Sequence, residues 1–142
     1  MTKLPNISIV LPAFNEAAGL AEILPKLVRL YPEEEILVIN DGSTDDTIQV
    51  CEHNKVKVIS YPYCQGNGAA IKEGCRHAAA DTIIFMDADG QHSVKDIPRL
   101  LEKLDQGYDM VVGARQVDTH SSTLKRLGNA FFNRFASIMT GH

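Results

Sequence analysis

The chain has 142 residues, 44% of them hydrophobic, which is enough for one domain with a core of its own. A net charge of -4 and a pI near 5.7 argue against nucleic-acid binding, which calls for a basic face. No apolar run reaches the length of a membrane span, and Met1-Thr2-Lys3-Leu4-Pro5 lacks a signal-peptide core, so the expected location is cytoplasmic, with peripheral membrane contact allowed.

Ile7-Ser8-Ile9-Val10-Leu11-Pro12 predicts a first strand. Leu20, Ile23, Leu24, Leu27 and Val28 then recur at helical spacing up to about Leu30, and Pro25 inside that pattern predicts a kink or a late helix start. Ile36-Leu37-Val38-Ile39 predicts the second strand, stopped by Asn40-Asp41-Gly42. Ser43 with Asp46 three residues later resembles a capping box opening a helix to about Asn54. Val56 to Ser60 predicts a short third strand, Gly66 to Ala80 a third helix, and Thr82 to Met86 a fourth strand. A helix should start at Ser93 or Asp96 and run to about Asp105, with Pro98 tolerable only near its first turn. Met110-Val111-Val112-Gly113 predicts strand five. Leu124, Leu127, Phe131, Phe135, Ile138 and Met139 then recur at three- and four-residue steps, with Lys125, Arg126 and Arg134 as a basic flank. Such a helix either packs on the core or faces lipid or a further segment, where exposed apolar residues would favour a homodimer or membrane contact.

Apolar strands separated by helices predict a parallel sheet covered on both faces, a Rossmann-like α/β fold. Cys51, Cys64 and Cys75 are odd in number, with no Cys-x-x-Cys pair, and the five histidines show no ligand spacing. A zinc site or disulfide framework is therefore not expected.

Asp87-Ala88-Asp89-Gly90-Gln91 directly follows the fourth strand and is the most informative stretch. Alternation would point Asp87 and Asp89 to one side, at the strand end where open α/β sheets bind ligands. Two carboxylates suit Mg²⁺ or Mn²⁺, leaving room for water and phosphate oxygens. Other strand ends add Ala13-Phe14-Asn15-Glu16, Asp41-Gly42-Ser43 and Arg115. Together they offer a flat ring, acids to accept from a base or ribose, a metal pair and a cation, an inventory that suits a nucleotide diphosphate. Gly66-Asn67-Gly68 at a helix start could let backbone N–H groups approach an anion. No Gly-Lys-Ser/Thr follows, so it is not a P-loop.

Leu11-Pro12-Ala13-Phe14-Asn15-Glu16, Asn40-Asp41-Gly42-Ser43-Thr44-Asp45, Gly66-Asn67-Gly68-Ala69 and Asp87-Ala88-Asp89-Gly90-Gln91-His92 occur in this order. Together they resemble the family 2 inverting glycosyltransferases of GT-A fold, and most closely the polyprenyl-phosphate (dolichyl-phosphate mannose synthase-like) sugar transferases. The resemblance implies that Pro12, Ala13, Phe14, Glu16, Asp41, Gly68, Asp87, Ala88 and Asp89 contact a GDP- or UDP-sugar. It implies Asp87, Asp89 and Gln91 at the metal and diphosphate, with Asp89 and Arg115 as catalytic residues. Arg115 and Arg126 would face the diphosphate or a lipid phosphate acceptor. Many members carry paired aspartates where this chain has Asn40-Asp41, leaving one carboxylate for the base. Residues 1–142 are read as one glycosyltransferase domain, 1–115 binding the nucleotide sugar and 116–142 starting an acceptor-side part that is expected to be cut short. The rival readings are a non-catalytic nucleotide-binding fragment and a sugar-phosphate nucleotidylyltransferase, the latter expected to carry a Gly- and Arg-rich loop after strand one.

Overall fold

The computed structural model describes residues 6–90 and 92–113. The elements in order are β1 (Ile7–Ala13), α1 (Ala17–Leu30), β2 (Glu35–Asn40), α2 (Thr47–His53), β3 (Lys57–Ser60), α3 (Asn67–His77), β4 (Thr82–Phe85), a 3₁₀ turn (Val94–Asp96) and α4 (Ile97–Leu104). The four strands form one parallel sheet in the order β3-β2-β1-β4. In register, Val10 of β1 lies opposite Leu37 of β2 and Phe85 of β4.

Alternation along β1 divides the core in two. Ile7, Ile9, Leu11 and Ala13 join Leu20, Ile23, Leu24 and Leu27 of α1, Cys51 of α2, and Ile97 and Leu101 of α4. Val10 faces the other way and packs with Leu37, Ile39 and Ala70 of α3. The sheet is thus covered on both faces, as its apolar strands require. A Cβ on Gly74 would fall 2.5 Å from Cγ1 of Val10, so this glycine lets α3 lie close on the sheet.

A polar staple closes the amino end of the sheet. The buried Ser8 hydroxyl donates to Glu35 Oε2 at 2.5 Å, and the Ala79 N–H donates to the same oxygen at 2.7 Å. Lys57 Nζ reaches Glu35 Oε1 at 3.1 Å. Burial would push the Glu35 carboxyl up, but the Ser8 hydroxyl, the Ala79 N–H and Lys57 hold it below its ordinary range.

Several expectations need correction. α1 runs unbroken from Ala17 to Leu30 with Pro25 inside it, so there is no late start. Pro25 lies on the exposed side, and Ala21, whose carbonyl loses its helical donor, is exposed too, so water can serve that group. α2 begins at Thr47, later than a Ser43 cap would place it, and its N-cap Asp46 makes no side-chain capping bond. Met110–Gly113 is not a strand among the described residues. The expected C-terminal helix lies outside them. These elements belong to a unit spanning Met1–Val111; a second unit, Val112–His142, is described only at Val112 and Gly113. Among the described residues no helix is long and apolar enough to cross a membrane.

Candidate functional site

The chain leaves β1 for β2 on one side, while β4 pairs with β1 on the other, so the strand order reverses there. Open parallel sheets bind ligands at such a switch point, beyond the strand carboxyl ends. A cleft of about 370 Å³ opens at this place. Pro12, Ala13, Phe14 and Glu16 line it from the end of β1, Asp41 from β2, and Asp87, Ala88 and Asp89 from β4. Cys64, Gly66, Asn67 and Ala70 complete the lining.

Most of the residues nominated for the nucleotide sugar therefore meet in one cleft. Gly68 does not line it; Gly66 does, with a φ of +96° just before α3. Nothing lies within 4 Å of a Cβ built on Gly68, so packing does not require glycine there. Gln91, Arg115 and Arg126 lie outside the described residues. The helix start expected at Gly66-Asn67-Gly68 does reach this edge, through Gly66, Asn67 and Ala70; Cys64 was not anticipated, although the loop after a third parallel strand ending at Ser60 belongs at the same edge.

Asp41 is 4% exposed, and its carboxylate is already engaged. Oδ1 accepts from the Gln65 N–H at 2.8 Å, and Oδ2 accepts from the Gly66 N–H at 2.8 Å and the Cys64 thiol at 3.2 Å. Burial alone would raise its pKa, but the Gln65 N–H, the Cys64 thiol and the Gly66 N–H together hold it below the ordinary carboxylate range. The same contact pushes the Cys64 thiol up. Asp41 thus ties down the loop that opens α3, a role the strand-end reading did not include. Next to it, Gly42 has a φ of +75°, and a Cβ there would lie 2.5 Å from the Tyr63 carbonyl carbon. Only glycine allows this backbone and this approach together. Asn40 is buried, donating to Ser60 Oγ at 3.2 Å and accepting from the Ser43 N–H at 3.0 Å. It braces the turn from inside.

The loop after β1 is bound to the loop after β2. Asn15 has a φ of +55°, a left-handed conformation that asparagine tolerates better than most residues. Its N–H donates to Ser43 Oγ at 2.8 Å, and its Oδ1 accepts from the Thr44 N–H at 2.8 Å. The Glu16 N–H donates to Thr47 Oγ1 at 3.3 Å, and that hydroxyl donates to Asp45 Oδ1 at 2.5 Å. The Ala17 N–H donates to Asp45 Oδ2 at 3.0 Å. The first N–H groups of α1 are thus satisfied by side chains of the next loop rather than by a local cap. Burial would raise the Asp45 carboxyl, but the Thr47 hydroxyl and the Ala17 and Thr47 N–H groups hold it low. Ser43, read from sequence as a helix cap, spends its hydroxyl on this cross-loop bond.

Asp87 and Asp89 are exposed while Ala88 between them is buried, so both acids line the cleft. The His92 ring braces this turn: its Nδ1 accepts from the Asp87 N–H at 3.1 Å, and its Nε2 lies 3.5 Å from Asp87 Oδ2. Among the described residues no group of three or more His, Cys, Asp or Glu could hold a metal ion. Two carboxylates beside an open cleft nevertheless fit a small hard cation that takes its remaining ligands from phosphate oxygens and water. The donor chemistry suits Mg²⁺ or Mn²⁺ and does not suit a soft ion.

The family model described as glycosyl transferase family 2 matches residues 8–140. The chain is 34% identical over 146 aligned positions to an undecaprenyl-phosphate 4-deoxy-4-formamido-L-arabinose transferase of Klebsiella pneumoniae strain 342, covering 96% of this chain and 44% of that protein. The protein of the same name from K. pneumoniae subsp. pneumoniae strain ATCC 700721 / MGH 78578 is equally similar, at 34% with the same coverage. Among solved structures, glucosyl-3-phosphoglycerate synthase from Mycobacterium tuberculosis with Mn²⁺ and UDP-glucose superposes with a TM-score of 0.63 at 29% identity, over 72% of this chain and 40% of that one. A mycobacterial protein gives a TM-score of 0.64 at 27% identity, over 73% of this chain and 38% of that one. The chain spans less than half the length of the curated relatives it matches.

Proposed function

The chain belongs to glycosyl transferase family 2, and from that membership we propose that it carries the nucleotide-sugar half of a metal-dependent, inverting glycosyltransferase acting on a polyprenyl phosphate. The observation that carries the reading is the meeting of Phe14, Glu16, Asp41, Asp87 and Asp89 in one cleft at the switch point. The half-exposed Phe14 ring offers a flat apolar surface to a base and Glu16 offers an acceptor, while Asp41 holds the backbone of Gln65 and of Gly66, which lines the cleft beside them. Asp87 and Asp89 stand where the diphosphate of a bound nucleotide sugar would lie. A divalent ion bound there would stabilise the negative charge that develops on the departing β-phosphate.

Displacement at the anomeric carbon takes either a hydroxyl acceptor with a positioned base or an acceptor already bearing charge. A phosphate is an anion at neutral pH, so the step requires no side chain to remove a proton. The similarity to an undecaprenyl-phosphate sugar transferase over 96% of the chain supports this acceptor class. The Mn²⁺ and UDP-glucose complex of the structural relative supports a divalent ion and a nucleoside-diphosphate sugar. A lipid acceptor would bring the reaction to a membrane surface, with the protein held there peripherally.

The test is to incubate the protein with UDP- and GDP-sugars, undecaprenyl phosphate in detergent, and Mn²⁺ or EDTA. Nucleoside diphosphate released only with both acceptor and metal supports the proposal. Equal release with EDTA would remove the metal, and release without lipid phosphate would remove the acceptor class.

A further inference from the structure

Phe14 and Glu16 line the cleft, but Asn15 between them does not, and neither do Ser43, Thr44, Asp45 or Thr47. Yet these five residues make most of the bonds that join the β1 loop to the β2 loop. The β2 loop also reaches the other way: Asp41 holds the backbone of Gln65 and Gly66, and Gly42 packs against Tyr63. The segment from Asp41 to Thr47 is therefore the middle member of three loops, and only Asp41 of it lines the cleft.

We propose that Asn15 and Thr47 are positioning residues whose bonds across the β1 and β2 loops set Phe14 and Glu16 for the nucleotide without touching it. This rests on the nucleotide reading of the cleft and extends it to residues outside the lining. The geometry is demanding. Asn15 must hold a φ of +55° while its Oδ1 receives Thr44, and the Thr47 hydroxyl must accept from Glu16 while donating to Asp45. A hydroxyl can do both at once, and no apolar group of the same shape can do either. Thr47 is completely buried, so water cannot readily take over its part.

The variants separate positioning from stability. Thr47→Val keeps the buried volume and removes the hydroxyl, whereas Thr47→Ser keeps the hydroxyl and removes a methyl group. Asn15→Gly accepts the positive φ and removes the Oδ1 acceptor. Each protein is titrated calorimetrically with UDP and with GDP in the presence of Mn²⁺, and its unliganded melting temperature and far-UV circular dichroism are recorded. Thr47→Val and Asn15→Gly should raise the nucleotide Kd at least tenfold at a temperature where both remain folded. Thr47→Ser should stay within threefold of wild type although its melting temperature falls. Wild-type affinity in folded Thr47→Val and Asn15→Gly overturns the proposal, as does an equal loss in Thr47→Ser. If the wild-type protein binds neither nucleotide, the reading of the cleft falls first and the positioning role with it.

Discussion

Replacing Asp41 by Ala removes three donors' partner at once: the Gln65 and Gly66 N–H groups at 2.8 Å and the Cys64 thiol at 3.2 Å. Hydrogen bonds to a charged group contribute roughly 1.5–3 kcal/mol each, and the two amide bonds alone would suggest about 3–6 kcal/mol. Two effects reduce that figure. Gln65 is exposed and Gly66 half-buried, so water can serve their N–H groups once the carboxylate is gone. Removing a nearly buried carboxylate also relieves its desolvation cost. We expect a net loss of about 2–3 kcal/mol at pH 7. With an m value of roughly 1.5 kcal/mol per M, the urea midpoint should fall by about 1.5 M at unchanged slope. The loss should also depend on pH. The Asp41 carboxyl is held below its ordinary 3.8 in the folded state, so the unfolded chain takes up the proton first as pH falls. Its contribution is full above about 3.8 and fades as pH drops from there through the folded value, so the wild-type and Asp41→Ala curves should converge as the pH falls below about 3.8. A midpoint shift worth less than ~0.5 kcal/mol, or a gap that does not narrow in acid, would refute this account of Asp41.

Asp89→Ala should abolish Mn²⁺-dependent binding of nucleoside diphosphate while moving the melting temperature by only about 2 °C, since Asp89 is an exposed acid at a strand end; calorimetry with Mn²⁺ or EDTA checks both halves. Alkylation at pH 8 followed by mass spectrometry should label exposed Cys75 first and buried Cys51 last, because burial pushes the Cys51 thiol up to about 11. Cys64 should label slowly, held as a thiol by Asp41, and should be shielded by UDP or GDP with Mn²⁺ whereas Cys75 is not. Gly74→Ala should cost about 1–3 kcal/mol in urea unfolding, since the added carbon would press on Val10 within a packed core.

The strands and helices were readable because they follow burial. The odd-numbered residues of β1 and the 20, 23, 24, 27 stripe of α1 face one core, and a buried stripe leaves a periodic trace. The cleft lining was readable for the same reason, since parallel strands deliver their carboxyl ends to one edge whatever the side chains do. What those side chains do there was not readable. Ser43 has the spacing of a local cap but bonds to Asn15, 28 residues away, and Asp41 looks outward on the strand pattern but spends its oxygens on Gln65 and Gly66. Such partners are fixed only when three loops meet. Gly68 and Gly66 are equally plausible in the sequence, and only the backbone φ separates them.

The ladder between β1 and β4 also works as a ruler. Its register pairs Ile7 with Thr82 and Val10 with Phe85, and the Met86 N–H still reaches the Val10 carbonyl at 3.0 Å. One residue later the acids begin, so their distance from Pro12 and Ala13 is counted out in residues of strand and not chosen by any side chain in the cleft. Deleting a single residue from β4 would draw Asp87 back by about 3.3 Å and turn it to the opposite face of the sheet. Such a deletion would leave the composition of the cleft almost unchanged and its spacing wrong. The spacing between Ala13 and Asp87 at the floor of the cleft is therefore set first by the pairing of backbone amides, before any side chain in the loops beyond adjusts it.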